Sequence, residues 1–154
     1  MIIYPIILFA VTFIADRLTK LWALAALAGD TVLQPFYGLN LVLRINRGVS
    51  WSLLSFSDER GFWILTTVII AIITGFFIYV VREAARNKLV VFEALVLAGA
   101  LSNVIDRFMY GGVVDFIELY VGTYSWPVFN IADTAICVGI AGILWRAWVV
   151  EFRA

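Results

Sequence analysis

The sequence contains no histidine. That absence excludes Ser-His-Asp and Cys-His nucleophilic catalysis and the usual His-based zinc sites. There is one cysteine, Cys137, so no disulfide can form within the chain. Cys137 lies in an apolar run with no cation near it in sequence, and a small packing residue is expected there. Charge is also scarce. Only 14 % of the residues are charged, against about 25 % in a soluble domain. Eleven basic residues balance eleven acidic ones, so no basic surface points to nucleic acid. No Ser/Gly-rich linker and no internal repeat divides the chain.

Apolar residues are abundant. Of 154 residues 64 % are hydrophobic, and mean hydropathy is +1.01. Lipid as the solvent explains this excess. About 20 apolar residues cross a bilayer core, and four segments qualify: Ile2 to about Leu27, Gly61–Val81, Lys88–Ile105 and Pro127–Val150. Pro127 suits a first helical turn, where its missing N–H costs nothing. The small-residue run Ala23–Ala28 resembles the end of a signal peptide. Asp16, Arg17 and Lys20 interrupt the apolar stretch before it and nothing basic precedes it, so a retained first span is expected. The short connection Arg82–Lys88 holds three basic residues in seven, which makes it cytoplasmic by the positive-inside rule. Arg146 and Arg153 agree. Both termini are then inside, and the longer loops, about 28–60 and 106–126, are outside.

In the first outer loop Tyr37, Leu39, Leu41, Leu43 and Ile45 alternate with more polar residues, the period of a half-buried strand. Asn46–Gly48 can turn the chain, and Val49, Trp51 and Leu53 alternate with serines after it. A small sheet lying on the outer membrane surface is expected, with Trp51 as an interfacial anchor. The fold class is therefore an all-α membrane protein with four transmembrane helices and a small β-sheet in the first outer loop. Ala94, Ala98 and Ser102 are spaced by four, as are Ala135 and Gly139, which lets helices approach closely.

Acids inside membrane segments are functional candidates, because burial of charge there is expensive. Asp16 precedes Lys20 by four residues and suits a helical ion pair. Asn103, Asp106 and Arg107 close the third span and can tie off its end. Glu93 is placed to reach Arg86 or Lys88. Asp115 and Asp133 differ, since neither has a cation near it in sequence. Asp133 falls six residues into the fourth span, about 9 Å along a helix, and shares a face with Asn130. Two such acids at one depth can hold a single proton between them, one activating water while the other donates. That chemistry needs neither histidine nor metal. A proton-coupled carrier and a purely structural membrane subunit stay open on the residues alone.

The blocks "DRLTK" (Asp16–Lys20), "NRGVSWSLL" (Asn46–Leu54), "GALSNVIDR" (Gly99–Arg107), "VVDF" (Val113–Phe116) and "FNIAD" (Phe129–Asp133) together resemble bacterial lipoprotein signal peptidase (signal peptidase II) over nearly the whole chain. The resemblance implies an aspartic endopeptidase of the bacterial inner membrane, with its site toward the outer face. Such an enzyme removes the signal peptide from diacylglyceryl-modified prolipoproteins, before the lipidated cysteine. It implies Asp115 and Asp133 as the catalytic pair. Asp16, Asn46, Asn103, Asp106, Arg107 and Asn130 then position substrate or support the pair. It further implies membrane lipid as a partner and the cyclic peptide globomycin as an inhibitor. Two departures stand out: Ser102 where glycine is frequent, and Ser50-Trp51 where Ala-Phe is frequent.

Overall fold

The computed structural model of the chain describes residues 2–48 and 59–152. Its elements run α1 (Ile3–Ala26), β1 (Val32–Phe36), β2 (Leu39–Asn46), α2 (Glu59–Ala85), α3 (Val91–Tyr110), β3 (Val113–Val121), β4 (Tyr124–Ser125) and α4 (Ile131–Phe152). Four helices lie where four apolar segments were expected. Of these, α2 and α4 are long and apolar enough to cross a membrane. The helices α1 and α3 each carry three charged residues, Asp16, Arg17 and Lys20 on one and Glu93, Asp106 and Arg107 on the other.

The sheet is larger than expected. It has the order β1-β2-β3-β4, so both of the longer connections between helices build it. The strand after Asn46–Gly48, with Val49, Trp51 and Leu53, lies outside the described residues. Strand β2 instead pairs antiparallel with β1 before it and with β3 from the second loop. Its burial does not alternate as expected. The register with β3 shifts between Leu41 and Arg44, and this irregularity turns Val42 inward while Ile45 stays exposed. A bulge resets the side-chain period in just this way. Leu41 and Leu43 pack on a cluster of Ala23, Leu27 and Phe116, so the sheet is clamped to the end of α1.

The start of α4 also differs from expectation. Pro127 precedes the helix, which begins at Ile131. Asn130 takes the capping position: its Oδ1 accepts from the Asp133 backbone N at 2.8 Å. The Asp133 carboxylate accepts in return from the Asn130 backbone N at 3.3 Å. This reciprocal pair is a capping box with Asn and Asp in the two roles. Asp133 therefore stands in the first turn, where a negative charge meets the positive end of the helix dipole. Cys137, expected as a packing residue, is exposed on α4.

The main helical contact joins α3 to α4, and α3 also packs on α1. Small residues make the approach close. A Cβ on Gly139 would meet Val96 Cγ2 at 2.6 Å and the Phe92 carbonyl oxygen at 2.7 Å. A Cβ on Gly99 would collide with the Ala132 carbonyl oxygen, one residue from Asp133. Near the Arg82–Lys88 connection, Glu93 pairs with Arg146 rather than with Arg86 or Lys88, which both pair with Glu83. Arg146 reaches Glu93 across the α3–α4 contact, whereas the nearer cations in sequence face α2.

Gly139→Ala is expected to lower the melting temperature, since overpacking a tight contact costs about 1–3 kcal/mol. Gly75→Ala on α2, where nothing lies within 4 Å of the added carbon, should leave it unchanged or raise it. Thermal unfolding of both variants in the same lipid mixture checks this.

Candidate active site

The last turn of α3 ends at Gly111, whose φ of 69° is left-handed and favours glycine. Gly112 follows with no room for a side chain: a Cβ would lie 2.7 Å from Ile45 Cγ2 and 3.0 Å from the Asn46 carbonyl oxygen. These two glycines turn the chain directly from α3 into β3. Asp115 then stands opposite Arg44 in the β2–β3 ladder and is 2 % exposed. The segment before α4 is sewn to the other edge of β3. Phe116 N and Ile117 N donate to the Phe129 carbonyl oxygen at 3.1 and 2.9 Å, and Phe129 N donates to that of Ile117 at 3.0 Å. Asn130 is thereby set beside Asp115, and the cap of α4 brings Asp133 to the same place.

Three asparagines serve the two acids. Asn130 Nδ2 donates to Asp115 Oδ1 at 2.7 Å and Asn46 Nδ2 to Asp115 Oδ2 at 3.0 Å. Asn103 Nδ2 donates to Asp133 Oδ1 at 2.8 Å. Asn46 also folds the turn after β2, accepting from Gly48 N at 2.9 Å. Asp115 and Asp133 line one cavity of about 260 Å³ with Asn46, Asn103 and Arg107. Ile69, Ile72 and Ile136 make its apolar wall. Burial is the first cause that pushes the Asp115 carboxyl up to about 7, and the nearby Asp133 charge is the second. The Asn46 and Asn130 amides and the Lys20 charge pull it the other way.

Behind this pair lies an ion cluster. Lys20 Nζ is 2.8 Å from Asp16 Oδ2, 2.8 Å from Asp106 Oδ2 and 2.7 Å from Asn103 Oδ1. The Asp16–Lys20 pair matches the sequence reading. Asp106, expected with Asn103 and Arg107 to tie off the third span, is paired with Arg17 and Lys20 of α1, because its side of α3 faces α1. Asp106 Oδ2 also accepts from Val114 N at 3.1 Å. Asp16 reaches further than an intrahelical pair requires: its Oδ1 accepts from Ala132 N, in the first turn of α4, at 2.7 Å. Its Oδ2 accepts from Ser102 Oγ at 2.6 Å. The serine at the glycine-rich position thus donates to a buried carboxylate that a glycine would leave one donor short.

Arg107 is not part of that cluster. It is 4 % exposed, its Nη2 donates to the Gly48 carbonyl oxygen, and its Cζ lies 5.6 Å from the centre of the Phe62 ring. Nη1 has no hydrogen-bond partner among the described residues. All eight residues singled out from sequence fall within this connected region. Sequence reasoning missed Arg17, Ser102 and the Phe129 bridge. The Asn130-x-x-Asp133 spacing was a capping signal that could have placed the start of α4.

The sequence profile of the family described as signal peptidase (SPase) II matches residues 8–149. A lipoprotein signal peptidase of Thermodesulfovibrio yellowstonii is 37 % identical over 131 residues, covering 85 % of each chain. One from Shewanella baltica is 39 % identical over 140 residues, covering 89 % of this chain and 81 % of its own. A solved structure described as a bacterial membrane enzyme, at 2.3 Å resolution, superposes with a TM-score of 0.76. It is 28 % identical and covers 94 % of this chain and 87 % of its own. The acids and their asparagines all lie within the matched stretch, and the chain belongs to the signal peptidase II family.

Proposed function

We propose that the chain is an intramembrane aspartic endopeptidase that removes signal peptides from diacylglyceryl-modified prolipoproteins, cutting before the lipidated cysteine. The observation that carries this reading is the pair Asp115 and Asp133 at one cavity, joined through Asn130, in a chain of this family. One carboxylate takes a proton from water as its oxygen attacks the scissile carbonyl. The other, protonated, gives its proton to the carbonyl oxygen. The tetrahedral diol then collapses, the C–N bond breaks and the departing amine takes up a proton. Arg107 Nη1 and the Asn46 amide are donors placed to hold the peptide backbone. The same cavity receives the cyclic peptide globomycin. The inner-half acids Glu83 and Glu93 are engaged in ion pairs, which favours a peptidase over a proton carrier.

On this reading all four helices span the bacterial inner membrane, with both termini cytoplasmic and the acids toward the outer face. The charges of α1 support it. Asp16 and Lys20 are fully buried in the bundle while Ile7, Val11, Ile14 and Leu18 are exposed, as suits a helix with lipid on its outer side. The sheet lies at the outer interface. Leu41 and Leu43, on the apolar face of the alternating strand, pack on α1 and Phe116. Phe36, Tyr37 and Tyr124 are exposed instead, and such aromatic residues settle at headgroup level.

Asp115→Asn and Asp133→Asn are each expected to lower turnover of a lipidated prolipoprotein by about 10²- to 10⁴-fold, the size of a general acid–base contribution. Melting should change little, because an asparagine at 133 keeps an oxygen for the cap. Near-normal turnover by either purified variant would overturn the assignment.

The pH profile gives a second check. With Asp115 raised to about 7 by burial and by Asp133, the pair keeps its shared proton below about pH 7 and loses it above. kcat/KM is expected to fall about tenfold per pH unit on the alkaline side. The folded chain also binds more protons than the unfolded one between the two Asp115 values, so its stability declines as pH rises from about 4 to about 7. An alkaline limb that persists unchanged in Asp115→Asn would contradict this.

A further inference from the structure

A second space lies beside the reactive cavity, toward the Arg82–Lys88 end of the bundle. Ile73 of α2 lines both, and the second is an apolar groove of about 550 Å³. The groove's floor is Val90, which caps α3, and Ala94, Leu97 and Leu101, one stripe along it, and its walls come from α1 and α2. Thr74 is the one lining residue with a polar side chain, and its hydroxyl is already donated to the Ile70 carbonyl oxygen at 2.8 Å. From Val90 to Leu101 the floor is about 16 Å long at 1.5 Å per residue. Its inner end adjoins the basic connection Arg82–Lys88, the cytoplasmic side.

We propose that this groove holds the apolar membrane-spanning segment of the substrate's signal peptide, which enters the cavity past Ile73. The inference rests on the peptidase reading above and names the place where that substrate is held. Depth selects the occupant. An acyl chain anchored in the outer leaflet ends near the midplane, about 15 Å down. The inner half of the groove lies below that level. A signal peptide has its basic end in the cytoplasm and its cleavage site outside. Its apolar stretch must therefore descend from the acids through the depth that the groove covers. An apolar trough without free polar groups, meeting the cavity at Ile73, matches such a segment.

The test uses the full chain carrying Asp115→Asn in lipid vesicles, with a lipidated prolipoprotein. A photoreactive benzoylphenylalanine replaces Leu97 on the groove floor or, separately, Ile140 on the exposed side of α4. Illumination at Leu97 is expected to give an enzyme–precursor adduct that mass spectrometry maps to the apolar signal segment, at least about tenfold above Ile140. Equal yields, adducts with phospholipid alone, adducts between two copies of the chain, or attachment outside the signal segment would overturn the proposal. In the active enzyme, Ala84→Trp, which fills the groove's inner end, should raise KM about tenfold with kcat retained. An unchanged KM in a folded Ala84→Trp protein would also overturn it. If the unsubstituted enzyme cuts the precursor but Leu97 gives no adduct, the groove assignment falls and the peptidase reading stands. If the unsubstituted enzyme leaves the precursor whole, both fall.

Discussion

The buried ammonium of Lys20 is the constraint on which the rest of the structure depends. It is fully removed from solvent, which costs several kcal/mol unless its partners are close and well placed. Those partners come from two helices: Asp16 one turn earlier on α1, and Asp106 and Asn103 on α3. Arg17 supplies the second positive charge, so two cations face two anions. Each partner then acts on something beyond the cluster. Asp16 holds the first turn of α4 through Ala132 N. Asp106 holds the entry to β3 through Val114 N. Asn103, with its oxygen taken by Lys20, is oriented to donate to Asp133. One charge thus orders both segments that carry the acids.

This arrangement reconciles two demands that conflict in a membrane. The proposed aspartic site needs carboxylates, water and donors, whereas apolar surroundings penalise all three. Here Asp133 is offset by a helix N-terminus and its cap, and Asp115 lies on a strand edge with two amides donating to it. On the proposed reading, the burial that raises Asp115 to about 7 keeps one proton on the pair, the state that the chemistry requires. The sheet has a mechanical part. Clamped to α1 through Leu41 and Leu43 and bonded to the segment before α4, it carries Asp115 to the mouth of a helical bundle without a loop of its own.

Much of this was legible in the sequence because lipid imposes simple rules. Four apolar runs gave four helices, and acids with no cation near them in sequence proved to share a cavity. Asp16–Lys20 was legible because both partners sit on one helix, four residues apart. The pairings that could not be read from sequence cross between elements. Asp106 chooses Arg17 and Glu93 chooses Arg146 because of how helices face one another, and sequence proximity carries no such information. The alternation in β2 was read correctly as a strand, but a bulge put Val42 inside, and a period of two cannot announce its own interruption. That β3 would complete the sheet was hidden because "VVDFIELYV" carries an acid in an apolar run and does not alternate cleanly.

The most direct test of the central claim is the stability of Lys20→Met, compared with Lys20→Met combined with Asp16→Asn, by thermal unfolding in a fixed lipid mixture. Removing one partner of a buried ion pair strands the other, at about 3–5 kcal/mol. Lys20→Met should therefore be strongly destabilised and its turnover lost with the orientation of Asn103. Adding Asp16→Asn removes the stranded charge and should restore part of the stability without restoring turnover. A Lys20→Met protein as stable and as active as the parent would contradict the account.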